Sequence, residues 1–138
     1  MNLIFADTSF FYALAYKKDP HHEDAAKLLN SLKTPLITSN YVFDELITIL
    51  RYDFSHKVAA NYGRSIRSSK ICSITRISKE DEDAAWDIFL KYNDQKFSFT
   101  DCTSFAVMQR LNLKEVACFD VHFDTAGFSR LPQVPLQK

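Results

Sequence analysis

Short apolar runs alternate along the chain with longer segments in which hydrophobic residues recur every three or four positions. The short runs are almost entirely hydrophobic, which is typical of strands buried on both faces of a parallel sheet. Four of them stand out, at residues 3–6, 35–38, 71–74 and 115–119. The tail, which contains Pro132 and Pro135, is a weaker candidate for a short edge strand.

The periodic segments between these runs predict helices. Thr8 or Ser9 can cap the first helix, and Ser39 or Asn40 can cap the third. The predicted helices cover residues 10–16, 21–32, 41–52, 55–69, a segment that begins at 78, and 98–111.

Strands that alternate with helices indicate an α/β fold with a central parallel sheet of four or five strands. No linker, repeat or change in composition interrupts the chain, so we expect a single domain over residues 1–138. The 17 basic and 17 acidic residues give a net charge of +0. This balance argues against a nucleic-acid binder that is held mainly by phosphate contacts.

Three cysteines, Cys72, Cys102 and Cys118, lie far apart in apolar surroundings. Their odd number and their spacing disfavour a disulfide framework or a structural zinc site, so we expect three buried thiols. The first residues carry no basic segment and reach Asp7 after four apolar residues. We therefore expect neither a signal peptide nor a membrane span, and a reducing, cytoplasmic location.

Acidic residues occur where a parallel α/β sheet binds its ligands, which is beyond the carboxyl ends of the strands. Asp7 and Asp120 directly follow the first and fourth apolar runs. Glu45 lies in the first turns of the helix after the second run, at the edge of its apolar stripe, and should face inward. Asp44 should face outward. The three inward acids are therefore expected at one edge of the sheet.

Asp101 poses a topological problem, because its helix leads into the fourth strand. A simple crossover would start that helix at the opposite edge of the sheet. The sequence has room for two helices between the third and fourth strands, and the first of them would return the chain to the carboxyl edge. On that interpretation Asp101 joins the other three acids.

Four carboxylates at one edge repel each other and need a cation. Oxygen ligands suit Mg²⁺ or Mn²⁺ rather than zinc, and such an ion can activate water, bind phosphate oxygens and stabilise a leaving oxygen. The chain has only two glycines and lacks the usual Gly-rich phosphate loops. The acids therefore predict metal-dependent phosphoryl chemistry.

Each acid taken alone also has a plain structural explanation. Asp7 can cap the first helix, and Asp101 can close a capping box with Ser98. Glu45 can be a solvated helix residue and Asp120 a turn residue. These explanations do not account for all four acids occurring together at strand ends and on inward helix faces.

Other polar residues are less strongly predicted to belong to the metal site. We expect His21 and His22 to be structural, and His56 and His122 to be solvated or packed. Asp124 is expected to be a loop residue, although it follows Asp120 at a spacing that would let it share the last ligand position.

The acids and their neighbours resemble the PIN domain, in particular VapC-type toxins of bacterial toxin–antitoxin modules. The pieces that carry the resemblance occur in the family's order along the chain. They are Ile4-Phe5-Ala6-Asp7-Thr8-Ser9, Val42-Phe43-Asp44-Glu45-Leu46, Phe97-Ser98-Phe99-Thr100-Asp101-Cys102-Thr103-Ser104-Phe105 and Cys118-Phe119-Asp120-Val121-His122-Phe123.

The resemblance implies a three-layer α/β/α fold and an endoribonuclease that depends on Mg²⁺ or Mn²⁺. It assigns the acidic quartet to Asp7, Glu45, Asp101 and Asp120, and a supporting hydroxyl to Ser104 rather than Thr103. It also implies a homodimer that is neutralised by a small cognate antitoxin. The alternative is a PIN-like fold that serves as a non-catalytic module for binding RNA or protein.

Overall fold

The sheet has five parallel strands within residues 3–135. The computed structural model describes residues 3–135, so the ends of the expected 1–138 domain lie outside it. The strands are β1 (Ile4–Ala6), β2 (Leu36–Ser39), β3 (Cys72–Thr75), β4 (Glu115–Ala117) and β5 (Ser129–Leu131), in the order β3-β2-β1-β4-β5. The four predicted strands are confirmed, and the edge strand ends just before Pro132.

Seven helices connect the strands within residues 3–135. They are α1 (Thr8–Ala15), α2 (His22–Ser31), α3 (Asn40–Asp53), α4 (His56–Arg67), α5 (Lys79–Lys91), α6 (Phe99–Arg110) and α7 (His122–Thr125). The sequence did not predict α7, because a helix of four residues is too short to show an apolar period. The predicted cap of α1 is wrong: the cap is Asp7, and Thr8 and Ser9 are already helical.

Helices cover both faces of the sheet. Parallel crossovers are right-handed in nearly all proteins, so the connections from β1 to β2 to β3 place α1 to α4 on one face. The connections from β3 to β4 to β5 run the other way and place α5 to α7 on the opposite face. This is the predicted three-layer α/β/α architecture, and β1 and β2 are buried along their whole length.

Phenylalanines fill the space between the layers. Phe5, Phe10, Phe105 and Phe123 are fully buried, and each contributes about 2–3 kcal/mol by leaving water. The three cysteines are buried and free, as predicted. Burial raises the pKa of the Cys72 and Cys102 thiols to about 11, so both stay protonated and unreactive.

The helices α5 and α6 form an antiparallel pair that solves the problem posed by Asp101. Arg110 at the end of α6 makes two hydrogen bonds to Asp81 at the start of α5, from Nε to Oδ1 at 2.7 Å and from Nη2 to Oδ2 at 3.0 Å. At the other end, the ring of Phe89 contacts that of Phe99. Because the chain returns through α5, α6 can begin beside β1 and then lead down to β4.

No helix within residues 3–135 is both long enough and apolar enough to cross a membrane.

Candidate active site

An open cleft of about 360 Å³ lies at the carboxyl ends of β1 and β4, where the strand order reverses. All four predicted acids line it. The other lining residues come from the α1 region, α3 and the turns after α1 and β4: Thr8, Ser9, Tyr12, Asp19, His21, Ile49 and Phe119. The crevice at such a reversal is the usual ligand site of open α/β sheets.

Asp7 is the most deeply buried of the four acids, with 4% of its surface exposed. Its Oδ2 accepts hydrogen bonds from the backbone N–H of Ser9 at 3.2 Å and from the Ser9 hydroxyl at 2.9 Å. Burial, and then the charges of Asp101 and Asp120, raise the pKa of Asp7 to about 7. Within residues 3–135 its second oxygen has no hydrogen-bond partner, so it remains available to a ligand.

Ser9 also joins the two strands that flank the cleft. Its hydroxyl oxygen accepts a hydrogen bond from the backbone N–H of Phe119 at 2.9 Å. From the sequence Ser9 was expected only as a possible helix cap, and this contact was not predicted. Phe119 is 110 positions away in the chain, so no local pattern could have indicated it.

Asp101 closes the predicted capping box. Its Oδ2 accepts from the Ser98 backbone N–H at 3.0 Å, and the Ser98 hydroxyl accepts from the Asp101 N–H at 3.0 Å. The structural explanation of this residue is therefore correct, but it does not compete with a role in the site. The box holds the carboxylate rigidly at the start of α6, and the fold brings that helix end to the cleft.

Glu45 reaches the cleft from α3. Its Oε1 accepts a hydrogen bond of 2.6 Å from the hydroxyl of Thr8, across the start of α1. Glu45 is half-buried and Asp44 is exposed, as the apolar stripe of this helix predicted.

Asp120 and His122 form a tight turn after β4. The backbone N–H of His122 donates to Asp120 Oδ1 at 2.9 Å. The ring Nδ1 of His122 lies 3.0 Å from Asp101 Oδ2 and 3.4 Å from Asp120 Oδ1. Burial is the main cause that raises the pKa of Asp120.

The prediction that His122 is merely solvated or packed is wrong. The residue joins two of the acids, and the signal available in the sequence was its position two residues after Asp120. Without the fold, nothing connected that position with Asp101, 21 residues earlier.

The predicted hydroxyl residues do not line the cleft. Ser104 is fully buried one turn after Asp101, and its Oγ has no partner within the part of the chain that the structure describes. Thr103 donates instead to the backbone oxygen of Thr100 at 2.7 Å.

Asp124 does not line the cleft either. Its Oδ2 accepts a hydrogen bond of 2.7 Å from Arg130 Nε. It is thus engaged away from the other acids, as a residue outside the site would be.

The two neighbouring histidines differ. His22 is structural, as predicted, because its Nδ1 lies 2.7 Å from the backbone oxygen of Ala13. His21 stacks on the ring of Phe119, with centroids 4.4 Å apart, and lines the cleft. The expectation of a structural role for His21 did not include this position beside the acids.

The acids of the cleft and His122, which lies behind Asp101 and Asp120, fit a divalent cation. Asp101, Asp120 and His122 each offer one ligand atom, and these atoms lie within 4.8 Å of one another. Asp7 is close enough to be affected by the charges of Asp101 and Asp120, and no lysine or arginine lines the cleft within residues 3–135. A cation would relieve the repulsion among these buried carboxylates.

Comparison with known proteins agrees with the fold. The PIN domain model matches residues 4–129. The chain is 35% identical over 126 residues to the 23S rRNA-specific endonuclease VapC20 of Mycobacterium tuberculosis, which covers 91% of this chain and 95% of that relative. It is 27% identical over 129 residues to a VapC ribonuclease of Archaeoglobus fulgidus, covering 90% and 81%.

A solved structure gives the same result. The crystal structure of Mycobacterium tuberculosis VapC20, a sarcin–ricin loop cleaving toxin, matches with a TM-score of 0.86. The match has 34% sequence identity and covers 91% of this chain and 95% of that one. The chain belongs to the PIN domain family, in its VapC branch.

Proposed function

We propose that this protein is an endoribonuclease that depends on Mg²⁺ or Mn²⁺ and is the toxin of a toxin–antitoxin pair. The observation that carries the proposal is the meeting of Asp7, Glu45, Asp101 and Asp120 in one cleft, although they come from four separate parts of the chain. The similarity to VapC20, named as a 23S rRNA-specific endonuclease, supports RNA as the substrate.

The acids have separate tasks in this proposal. A bound Mg²⁺ or Mn²⁺ supplies Lewis acidity for hydrolysis of a phosphodiester. Asp7, Asp101 and Asp120 would hold the ion, and Glu45 is the fourth acid beside it. Glu45 Oε1 is held by Thr8, and its other oxygen has no hydrogen-bond partner within residues 3–135. That oxygen is suited to take the proton of the attacking water.

Ser104 has a supporting role in the same proposal. It lies one turn after Asp101 on the buried side of α6, and its hydroxyl lacks a protein partner in the described part of the chain. A buried hydroxyl normally has a hydrogen-bond partner. We propose that the Ser104 hydroxyl supports the acidic cluster from behind Asp101.

The test replaces Asp101 by asparagine and measures cleavage of an RNA hairpin with the sequence of the sarcin–ricin loop, in Mn²⁺. Asparagine keeps the size of the side chain but removes its charge. We expect cleavage to fall by on the order of 10²–10³-fold. Cleavage at the wild-type rate would refute the proposal and favour the non-catalytic binding module.

Asp81→Asn is the matched control. Asp81 occupies the same capping-box position on α5 as Asp101 does on α6, but it lies outside the cleft. The control variant should lose stability and keep its specific activity, which separates damage to a cap from damage to the site.

We further propose two protein partners and a cytoplasmic location. The first partner is a small antitoxin, for which an apolar groove between α1, α2 and α4 is available; its walls include Phe11, Leu14, Leu29, Tyr62 and Ile66. The second is another copy of this chain. Free buried thiols suit a reducing cytoplasm.

The exposed apolar face of α5 is suited to the homodimer. Trp86, Phe89 and Leu90 are 52%, 41% and 55% exposed, and the rings of Trp86 and Phe89 stack with centroids 5.6 Å apart. Large apolar side chains grouped in this way on a surface are typical of interfaces.

A further inference from the structure

His122 is fixed in position by contacts with three residues, Asp101, Asp120 and Phe97. Its backbone N–H donates to Asp120 Oδ1, and its Nδ1 faces Asp101 Oδ2 at 3.0 Å and Asp120 Oδ1 at 3.4 Å. The edge of the ring packs against Phe97, with centroids 5.3 Å apart. The side chain is 31% exposed, so solvent and ions can still reach it.

These separations match those of ligand atoms that share one metal ion. Two neighbouring donors at about 2.1 Å from an octahedral ion lie about 3.0 Å apart. In a tetrahedral site with similar bonds the separation is about 3.3 Å. A hydrogen bond from His122 to Asp101 has the same length, so the distance alone does not distinguish a hydrogen bond from a shared metal ion. The surrounding charges distinguish the two.

The charges of the cleft favour an ion over a hydrogen bond alone. Within residues 3–135 the cleft is lined by five carboxylates, those of Asp7, Asp19, Glu45, Asp101 and Asp120, and by no lysine or arginine. One imidazolium could balance a single charge at most, and Arg130, whose charge also acts on Asp120, is already paired with Asp124. A divalent ion between Asp101 and Asp120 balances two charges and leaves His122 neutral, which is the form in which imidazole binds metals.

We propose that His122 is a nitrogen ligand of the metal, beside Asp101 and Asp120. This inference rests on the proposed function, because it needs the divalent ion. The proton of the ring is then on Nε2, and Nδ1 gives up its contact with Asp101 so that both atoms face the ion. The donor set becomes carboxylate oxygens with one imidazole nitrogen.

The nitrogen has a consequence for metal choice. Carboxylate and water suit Mg²⁺ and Mn²⁺, whereas imidazole suits later first-row metals such as Ni²⁺. The imidazole is therefore expected to strengthen the binding of Mn²⁺ relative to Mg²⁺, and the binding of Co²⁺ or Ni²⁺ by more. A site made from the four acids alone would show a weaker preference of the same direction.

The experiment uses electron–nuclear double resonance to measure nitrogen hyperfine coupling to Mn²⁺ bound to the full-length wild-type protein. Calorimetric titrations give the affinities for Mn²⁺ and Mg²⁺. We expect hyperfine coupling from a directly bound nitrogen. His122→Asn replaces the nitrogen by an oxygen donor, so it should abolish the coupling. It should also weaken Mn²⁺ binding on the order of 10- to 100-fold, while Mg²⁺ affinity stays within about threefold.

His21→Asn is the control, because the ring of His21 lines the cleft beside the acids but makes no contact with Asp101 or Asp120 within residues 3–135. This variant should keep the nitrogen coupling. Bound Mn²⁺ without nitrogen coupling in the wild type, or an equal loss of Mn²⁺ and Mg²⁺ affinity in His122→Asn, overturns the inference and leaves the proposed function intact. A wild-type protein that binds neither ion overturns both. The wild-type spectrum does not depend on whether a variant folds.

Discussion

At the scale of single residues, the burial of Asp7 in the site lowers the free energy of unfolding at neutral and alkaline pH. Its carboxyl is almost fully buried beside two other acids, and its pKa is about 7 rather than the ordinary 3.8. The folded protein therefore binds this proton more tightly than the unfolded chain does. The contribution of this proton to the free energy of unfolding is fully present below about pH 4 and is lost as the pH rises through about 7.

Asp7→Asn is expected to stabilise the metal-free protein at pH 8, by on the order of 2–4 kcal/mol, because the variant has no charge to bury. The difference in the free energy of unfolding between variant and wild type should shrink toward zero at pH 4. Urea unfolding in EDTA at pH 8 and pH 4 measures this difference. Asp44→Asn, which changes an exposed acid, should shift the free energy of unfolding by less than about 0.5 kcal/mol at both.

Equal stability of Asp7→Asn and the wild type at pH 8 would contradict this account of the buried carboxylate. Mn²⁺ provides an independent check, since an ion that binds only the folded state stabilises it. Saturating Mn²⁺ should raise the stability of the wild type and have a much smaller effect on Asp7→Asn.

At the scale of elements, the antiparallel pair of α5 and α6 decides where Asp101 lies. The contact between Asp81 and Arg110 joins the start of one helix to the end of the other with two short hydrogen bonds. The Asp81 side chain is 2% exposed and that of Arg110 is 45% exposed. Hydrogen bonding to Arg110 is the main cause that keeps the pKa of Asp81 below its ordinary value.

Asp81→Ala should destabilise the protein by about 2–4 kcal/mol at pH 7, because it removes a helix cap and the partner of Arg110. The contribution of Asp81 is present above its unfolded pKa and is lost as the pH falls through its lowered folded pKa. The difference between variant and wild type should therefore narrow in strong acid, as measured by urea unfolding at pH 7 and pH 2.5.

Lys79→Ala offers a comparison on the same helix. Lys79 forms a single ion pair with Asp83 at 3.0 Å, and both side chains are largely exposed. Its removal should leave the free energy of unfolding almost unchanged, because solvent screens an exposed ion pair. A similar cost for both variants would mean that the contact between α5 and α6 adds nothing beyond a surface ion pair.

At the scale of the whole molecule, the proposed homodimer makes the apolar face of α5 an interface. A double variant, Trp86→Lys with Leu90→Lys, should be monomeric in sedimentation equilibrium at concentrations where the wild type is dimeric. Charges placed in an apolar interface are costly to bury. Tyr52→Lys is the control, because Tyr52 is 84% exposed on α3; a dimer that survives the double variant would exclude the α5 face.

The local pattern of the sequence determined the elements and much of the chemistry. Apolar runs identified the first four strands, the apolar stripe of α3 predicted that Glu45 faces inward, and a capping box marked the start of α6 near Asp101. These features depend on residues within a turn or two of each other, which is the range over which periodicity and capping act. The acids and their order along the chain also sufficed to suggest the family.

Only the tertiary structure decided which residues meet. The contacts of His122 with Asp101 and of Ser9 with Phe119 join positions 21 and 110 residues apart, and such pairs arise from strand order and helix packing. The same holds for Asp101 itself, whose place beside Asp7 requires α5 to return the chain before α6 begins. Burial and the nearness of like charges, which set the pKa of Asp7, exist only once the sheet and its helices have closed around the cleft.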